Sequence, residues 1–321
     1  MHPTRSPRAP QIVPPRIRRG QTLGVVAPAG PVRPERLRAG LARLGDLFAI
    51  RLAPSLASPR GQGVPSYLSA PDDVRLAELA EMIADPDVRA IVLARGGYGL
   101  MRILSRLDPA LLRADPKPIV GFSDATALLA WADAAGVRSI HGPMIGQLGE
   151  LSDADVAHLV ALLTEPRAPG VRPWTVATHG AGRREGPLVT ANLTLASMLV
   201  GTPWQLALDG AIAVFEEVGE RPYEIDRYLT QLLLTGELAK PAAVVIGDLT
   251  RCHDPSPPTG EPDPPDAALA TFLERLRTAG TPAAAGAPIG HGTRNEAVPY
   301  GAHTVLDLDR GTLEITEPAV S

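Results

Sequence analysis

From residue 21 the chain alternates short apolar runs, rich in β-branched residues, with segments whose apolar residues recur at helical spacing. That alternation constrains the fold more than any other feature. "TLGVVAPAG" is followed by "RPERLRAGLARLG", "LAELAEMIAD" precedes "VRAIVLARGGYG", and "KPIVGFS" leads into "DATALLAWADAAG" and then "VRSIHGPM". Strands apolar on both faces and joined by helices predict a parallel sheet covered on both sides, because parallel neighbours need a long crossover that a helix supplies. The expected class is therefore α/β. No repeat of 20 to 50 residues interrupts the pattern.

A second set of elements follows "PRAPGVRPWTVATHGAGRREG", residues 166–186, whose Gly, Pro and Arg content reads as a linker. Beyond it come the helical "NLTLASMLVG", the strand "GAIAVFEE", the helical "YEIDRYLTQLLLTGEL", the strand "AAVVIGDLT" and the helix "AALATFLERLRTAG". At 321 residues the chain is long enough for two domains. The expected division is a tail at 1–19, an α/β domain at 20–165, the linker, and a second domain at 187–321. The insert "HDPSPPTGEPDPPD" reads as a surface loop. Hydrophobic residues make up 45% and the net charge is −4, so no global field favours nucleic acid or an anionic membrane. Arg18-Arg19 before an apolar run has the look of a twin-arginine export signal, but that run is short, carries Pro28 and reads as the first buried strand. The expectation is a cytoplasmic protein. One cysteine, Cys252, excludes an internal disulfide framework and a cysteine-rich metal site, and no Asp, Glu and His cluster has metal-ligand spacing.

The residue that raises a chemical question is Ser123, where the strand "KPIVG" gives way to a helix. Such a junction lies at the carboxyl end of a parallel strand, where ligands bind and a helix start favours negative charge. Serine there is also a common helix N-cap, and Asp124 would serve equally well. A serine attacks a carbonyl only when a base takes its proton and an acid orients that base. Lys117 opens the same strand, about 20 Å away at ~3.3 Å per residue, and Lys240 starts another. Among seven histidines, His2, His158, His179, His253 and His303 have bland settings. His291 lies between two glycines in "PIGHGTRN", which permits unusual backbone angles and close approach of a ligand. His141 in "HGP" is its rival. Glu216, Glu217 and Glu220 follow an apolar strand, and alternation lets only one of Glu216 and Glu217 face a site. "ARGGYG", residues 94–99, could offer backbone N–H groups to an anion but fits neither the dinucleotide nor the Walker pattern.

"GVVAPAGPV", "ARGGYG", "IVGFSDATALL", "HGPM", "GPLVTANLTLASMLVGTPW", "FEEVGERPYEIDRYL" and "PIGHGTRN" occur in the order found in the serine LD-carboxypeptidases. Over roughly residues 20–315 the chain resembles that family, which contains murein tetrapeptide carboxypeptidases and microcin C self-immunity peptidases. The resemblance implies a Rossmann- or flavodoxin-like first domain, a smaller mixed β/α second domain, and an active site where they meet. It implies Ser123 as nucleophile, Glu216 as orienting acid and His291 as general base, with the N–H groups of Gly97 and Asp124 as oxyanion donors. Gly96, Asn192 and Arg227 become candidate substrate contacts. The family commonly has Asp where Glu217 stands, a conservative change, and a Gly-Gly pair where this chain has Thr190-Ala191, a departure that bears on the pocket wall.

The implied reaction hydrolyses the bond between an L-centred residue and the terminal D-alanine of a murein tetrapeptide, with no metal or organic cofactor. The "VGERPYEIDR" segment looks more like the murein-recycling branch than the microcin branch. A peptidyl- or aminoacyl-nucleotide hydrolase is the alternative enzyme, and a non-catalytic muropeptide binder the alternative from another class. The implied partners are a small peptide and a second copy of the chain, with neither nucleic acid nor membrane.

Overall fold

A computed structural model describes residues 11–58, 61–257 and 260–321. Its strands, in chain order, are β1 (Thr22–Val26), β2 (Ala49–Leu52), β3 (Val88–Leu93), β4 (Ile119–Gly121), β5 (Ser139–His141), β6 (Gly170–Val171), β7 (Ala177–His179), β8 (Arg183–Asn192), β9 (Ile212–Val218), β10 (Ala243–Thr250), β11 (Ala283–Ala285), β12 (Val298–Tyr300), β13 (His303–Asp307) and β14 (Thr312–Ile315). They form two sheets in two compact units. One unit runs to Ala168 and takes back Glu296–Gly301 and Pro318–Ser321; the other holds Pro169–Asn295 and Ala302–Glu317.

In the first unit the sheet order is β12-β5-β4-β3-β1-β2, parallel throughout except for β12, which runs antiparallel along β5. The parallel sheet is the one the α/β alternation predicts, and without that edge strand its order is 2-1-3-4-5, the flavodoxin-like of the two forms the resemblance implies. Apolar side chains from both sheet and helices make its core: Leu23, Val25, Val92, Val120 and Ile140 pack with Leu37, Leu44 and Leu159. Each such side chain taken from water is worth about 1.5–3 kcal/mol before entropy is counted. The sequence of neighbours reverses at β1 and β3, so the loops leaving these strands flank a crevice at the carboxyl edge, the usual ligand position in such sheets.

The second unit carries an eight-stranded sheet, β6-β14-β13-β8-β9-β10-β11-β7. Strands β8, β9, β10 and β11 are parallel neighbours, flanked by antiparallel strands. Strand β8 changes partners along its length: Arg183–Pro187 pair with β13, and Leu188–Asn192 with β9. That exchange curls the sheet.

The chain path differs from the sequence reading in three places. Residues 166–186, read as a linker, supply β6, β7 and the start of β8. Residues 11–19, read as part of a tail, are tied down: Ile12 bridges Val137, and Ile17 is fully buried. The remainder of that predicted tail, His2 included, lies outside the described residues. Val298–Tyr300 and the last four residues, assigned by sequence to the second domain, belong to the first unit, because a segment this short carries no periodicity that names its sheet. Among the described residues no helix is long and apolar enough to cross a membrane.

Candidate active site

Strand β4 ends at Gly121, and after Phe122 a single 3-10 turn, Ser123–Ala125, leads into the helix Thr126–Ala134. Ser123 sits in that turn with φ 62°, one of two non-glycine residues at positive φ among those described. The left-handed conformation is costly for a residue with a Cβ and is typically retained at functional sites. It does not cap the helix: no side-chain capping bond is present at this turn. The half-buried Ser123 faces the loop after β3, where a methyl on Gly96 would lie 3.2 Å from Oγ and 3.0 Å from Cβ. Gly97, at φ 104°, follows. Gly96 O accepts from Gly30 N at 2.9 Å, so the loops leaving β1 and β3 are joined beside the serine.

Asp124 is 2% exposed and points away from solvent. Its Oδ2 accepts from Leu100 N at 2.9 Å. Burial pushes its carboxyl up to about 6, against the opposing pull of that N–H and of the Arg75 charge. His141, the rival base, is fully buried on β5 and meets Phe122 edge to face. Lys117 is buried at the far end of β4, held by Asp85 O at 2.8 Å and Asp115 at 3.0 Å.

In the second unit, Glu216 near the carboxyl end of β9 is fully buried, and its Oε2 lies 2.6 Å from His291 Nδ1. Burial by itself would lower the imidazole, but the Glu216 hydrogen bond and charge, with the charges of Glu217 and Asp248, raise it above its ordinary 6.5. With Nδ1 turned to the carboxylate, Nε2 is the nitrogen that can exchange a proton with a substrate-side group. Glu217 turns the other way, as strand alternation predicts, and accepts from Asn192 Nδ2 at 2.9 Å and Thr194 Oγ1 at 2.7 Å. Burial raises its carboxyl despite these donors. Asn192, 4% exposed, also caps the helix Leu193–Met198 through Leu195 N. Thr190 and Ala191 are buried in the parallel part of β8, so that departure falls in the sheet core.

Arg227, the candidate substrate contact, is exposed and lies over the Tyr223 ring at 5.3 Å, while the neighbouring Glu224 pairs with Arg221. One acidic residue escaped the sequence reading. Asp248 ends an apolar run on β10 and is packed against the histidine loop: its N–H donates to Ile289 O at 2.8 Å, and its Oδ2 accepts from Thr250 at 2.6 Å. A carboxylate just past an apolar strand is the signal that singled out Glu216, and "VVIGD" carries it too.

Residues 23–142 match the LD-carboxypeptidase N-terminal domain, and residues 185–306 match the LD-carboxypeptidase C-terminal domain. The chain belongs to the LD-carboxypeptidase family. It is accordingly a hydrolase. A Bacillus subtilis protein named "Probable murein peptide carboxypeptidase" is 34% identical over 93% of this chain and 92% of its own length. The murein tetrapeptide carboxypeptidase of Pseudomonas aeruginosa is 33% identical over 76% of this chain and 80% of its own. The structure of MccF in complex with glutamyl sulfamoyl guanosine superposes with a TM-score of 0.83, covering 96% of this chain and 99% of that one, at 22% identity. At that identity the likeness shows the fold. The family thus spans both units of the chain, with the serine turn in one and the Glu216–His291 pair in the other.

Proposed function

We propose that the chain is a serine LD-carboxypeptidase that releases terminal D-alanine from murein tetrapeptides, with Ser123, His291 and Glu216 as its triad. The observation that carries the reading is the 2.6 Å contact between fully buried Glu216 and partly buried His291 Nδ1, which supports Nε2 as the proton-accepting atom. Ser123 adds a strained turn typical of a presented nucleophile. Carboxypeptidase names on relatives at 33–34% identity support the substrate class.

In the first step His291 Nε2 takes the Ser123 proton as Oγ attacks the scissile carbonyl carbon. Charge collects on the carbonyl oxygen, where the N–H groups of Gly97 and Asp124 receive it. The C–N bond then breaks, His291 protonates the departing amine of D-alanine, and an ester to Ser123 remains. Water, deprotonated by His291, attacks the ester; its collapse returns the proton to Ser123 and frees the shortened peptide. Glu216 keeps the imidazole oriented and offsets its charge in both halves. Gly96 lies where the substrate would reach Ser123. The same reading carries a role in murein recycling, residence in the cytoplasm and a homodimer; light scattering showing only monomer would overturn the last.

The test is release of D-alanine from L-Ala-γ-D-Glu-meso-diaminopimelate-D-Ala by the wild type and by Ser123→Ala. Release by the first and a loss of several orders of magnitude in the second is expected. Equal release by both would reduce Ser123 to a structural residue. No release by either would remove the tetrapeptide and turn the search to peptidyl nucleotides.

A further inference from the structure

The peptide group joining Gly99 to Leu100 is held at both ends by buried charged side chains. Its N–H donates to Asp124 Oδ2 at 2.9 Å, and its carbonyl accepts from Arg75 Nη1 at 3.0 Å. Asp124 is 2% exposed and Arg75 is fully buried. Arg75 is anchored in turn: Nε donates to Ala70 O at 3.1 Å, Nη1 also to Pro28 O, and Nη2 meets Asp72. One guanidinium thus ties the loop after β1 to the loop after β3, and the residue following Ser123 ties the loop after β3 to the serine turn. Gly99 takes φ 139° and leaves no room for a side chain, since a methyl there would stand 2.8 Å from Arg75 Nη1. Neither side chain takes part in the proton transfers of the proposed reaction. A buried carboxylate and guanidinium are expensive to keep, and removing either partner leaves the other side's groups unsatisfied.

We infer that Asp124 and Arg75 are positioning residues that clamp the Gly99–Leu100 peptide and so set the Gly96–Gly97 backbone against the Ser123 hydroxyl. The inference rests on Ser123 being the nucleophile. Loss of the clamp leaves Ser123 and the Glu216–His291 pair in place while the 96–100 loop shifts, so it acts on kcat more than on KM. A misplacement of about 1 Å in such a group costs on the order of 10² in rate.

The experiment compares wild type, Asp124→Ala and Asp124→Asn by amide hydrogen exchange over residues 94–102, by labelling of Ser123 with a fluorophosphonate, and by D-alanine release. Asp124→Ala is expected to speed exchange at Leu100 and to slow labelling and kcat about 10- to 100-fold, with KM changed less than about threefold. Asp124→Asn keeps an oxygen acceptor and should recover most of all three. Should Asp124→Ala fail to fold, Arg75→Lys, which retains charge but cannot reach the same carbonyls together, is read by the same exchange and labelling. Unchanged exchange in the variants overturns the clamp, and faster exchange with unchanged labelling overturns its positioning role. If wild type labels at Ser123 but releases no D-alanine, the substrate reading has failed while exchange and labelling still decide the clamp.

Discussion

Gly292 follows the candidate base directly and has no space for a side chain. A methyl placed on it would stand 2.1 Å from Asp248 Oδ2, against the 3.4 Å at which ordinary contact begins, so about 1.3 Å must be found. Asp248 cannot yield cheaply, because Thr250 holds its Oδ2 at 2.6 Å and its own N–H is bound to Ile289 O at 2.8 Å. The 290–292 loop is the part expected to move, taking the imidazole off line with Glu216. A shift of that size lowers kcat about 100-fold in Gly292→Ala. A coupled assay of D-alanine release with a D-amino-acid oxidase measures it, with a thermal melt to show that the variant folds. Because the clash is with the carboxylate, adding Asp248→Ala should relieve it and bring the double variant close to Asp248→Ala alone. Wild-type kcat in Gly292→Ala would mean that Asp248 swings aside for the cost of one hydroxyl bond. A double variant as slow as Gly292→Ala would show that the methyl does not act through Asp248.

Glu216→Gln removes the charge that helps raise His291 above 6.5. The base works only when neutral, so kcat/KM rises as pH passes upward through its pKa, and the acid limb should move to lower pH while the plateau falls by about 10⁴. A limb that stays in place would assign it to another group. Gly96→Ala puts a methyl 3.0 Å from Ser123 Cβ and 3.3 Å from Met144 Cε at a glycine whose φ needs no relief. Fluorophosphonate labelling should slow by at least about tenfold with little change in melting temperature, and a normal rate would mean that the serine is not packed on this loop. Asn192→Ala deprives buried Glu217 of a donor and a helix of its cap, for about 1–3 kcal/mol in urea unfolding. A raised KM with unchanged stability would instead make Asn192 a substrate contact.

The alternation of "TLGVV", "AIVL" and "KPIVG" with helical segments was enough to read the parallel sheet, because each strand is buried on both faces and each crossover is long. Ser123 was legible as a junction residue for the same reason, and strand alternation foretold that Glu216 and Glu217 would part company. His291 could not be paired with Glu216 from spacing, since the two are 75 positions apart and meet only through the register of β9, β10 and the loop that follows β11. Arg75 was hidden for a different reason: in "DDVRLAEL" it has the look of any charged residue on a solvated helix face, yet the helix turns it inward onto three loop carbonyls. Asn192 announces a polar contact but not its partner. Short strands such as β6, β7 and β12 carry too few residues for any periodicity, so the segment holding the first two read as a linker.

The return of Val298–Tyr300 to the first sheet has a bearing on how the gene can be cut. Expressing residues up to 168 alone would strip β5 of its edge neighbour and expose a row of unpaired backbone groups, a template for intermolecular strand pairing. The complementary piece, from 169 onward, would carry that orphaned strand along with no partner. The two units are compact, but their boundaries interleave along the chain. A split-protein reporter or a single-unit crystallisation fragment built from this sequence therefore needs β12 grafted back onto the first piece, and a clean cut at any one peptide bond cannot provide it.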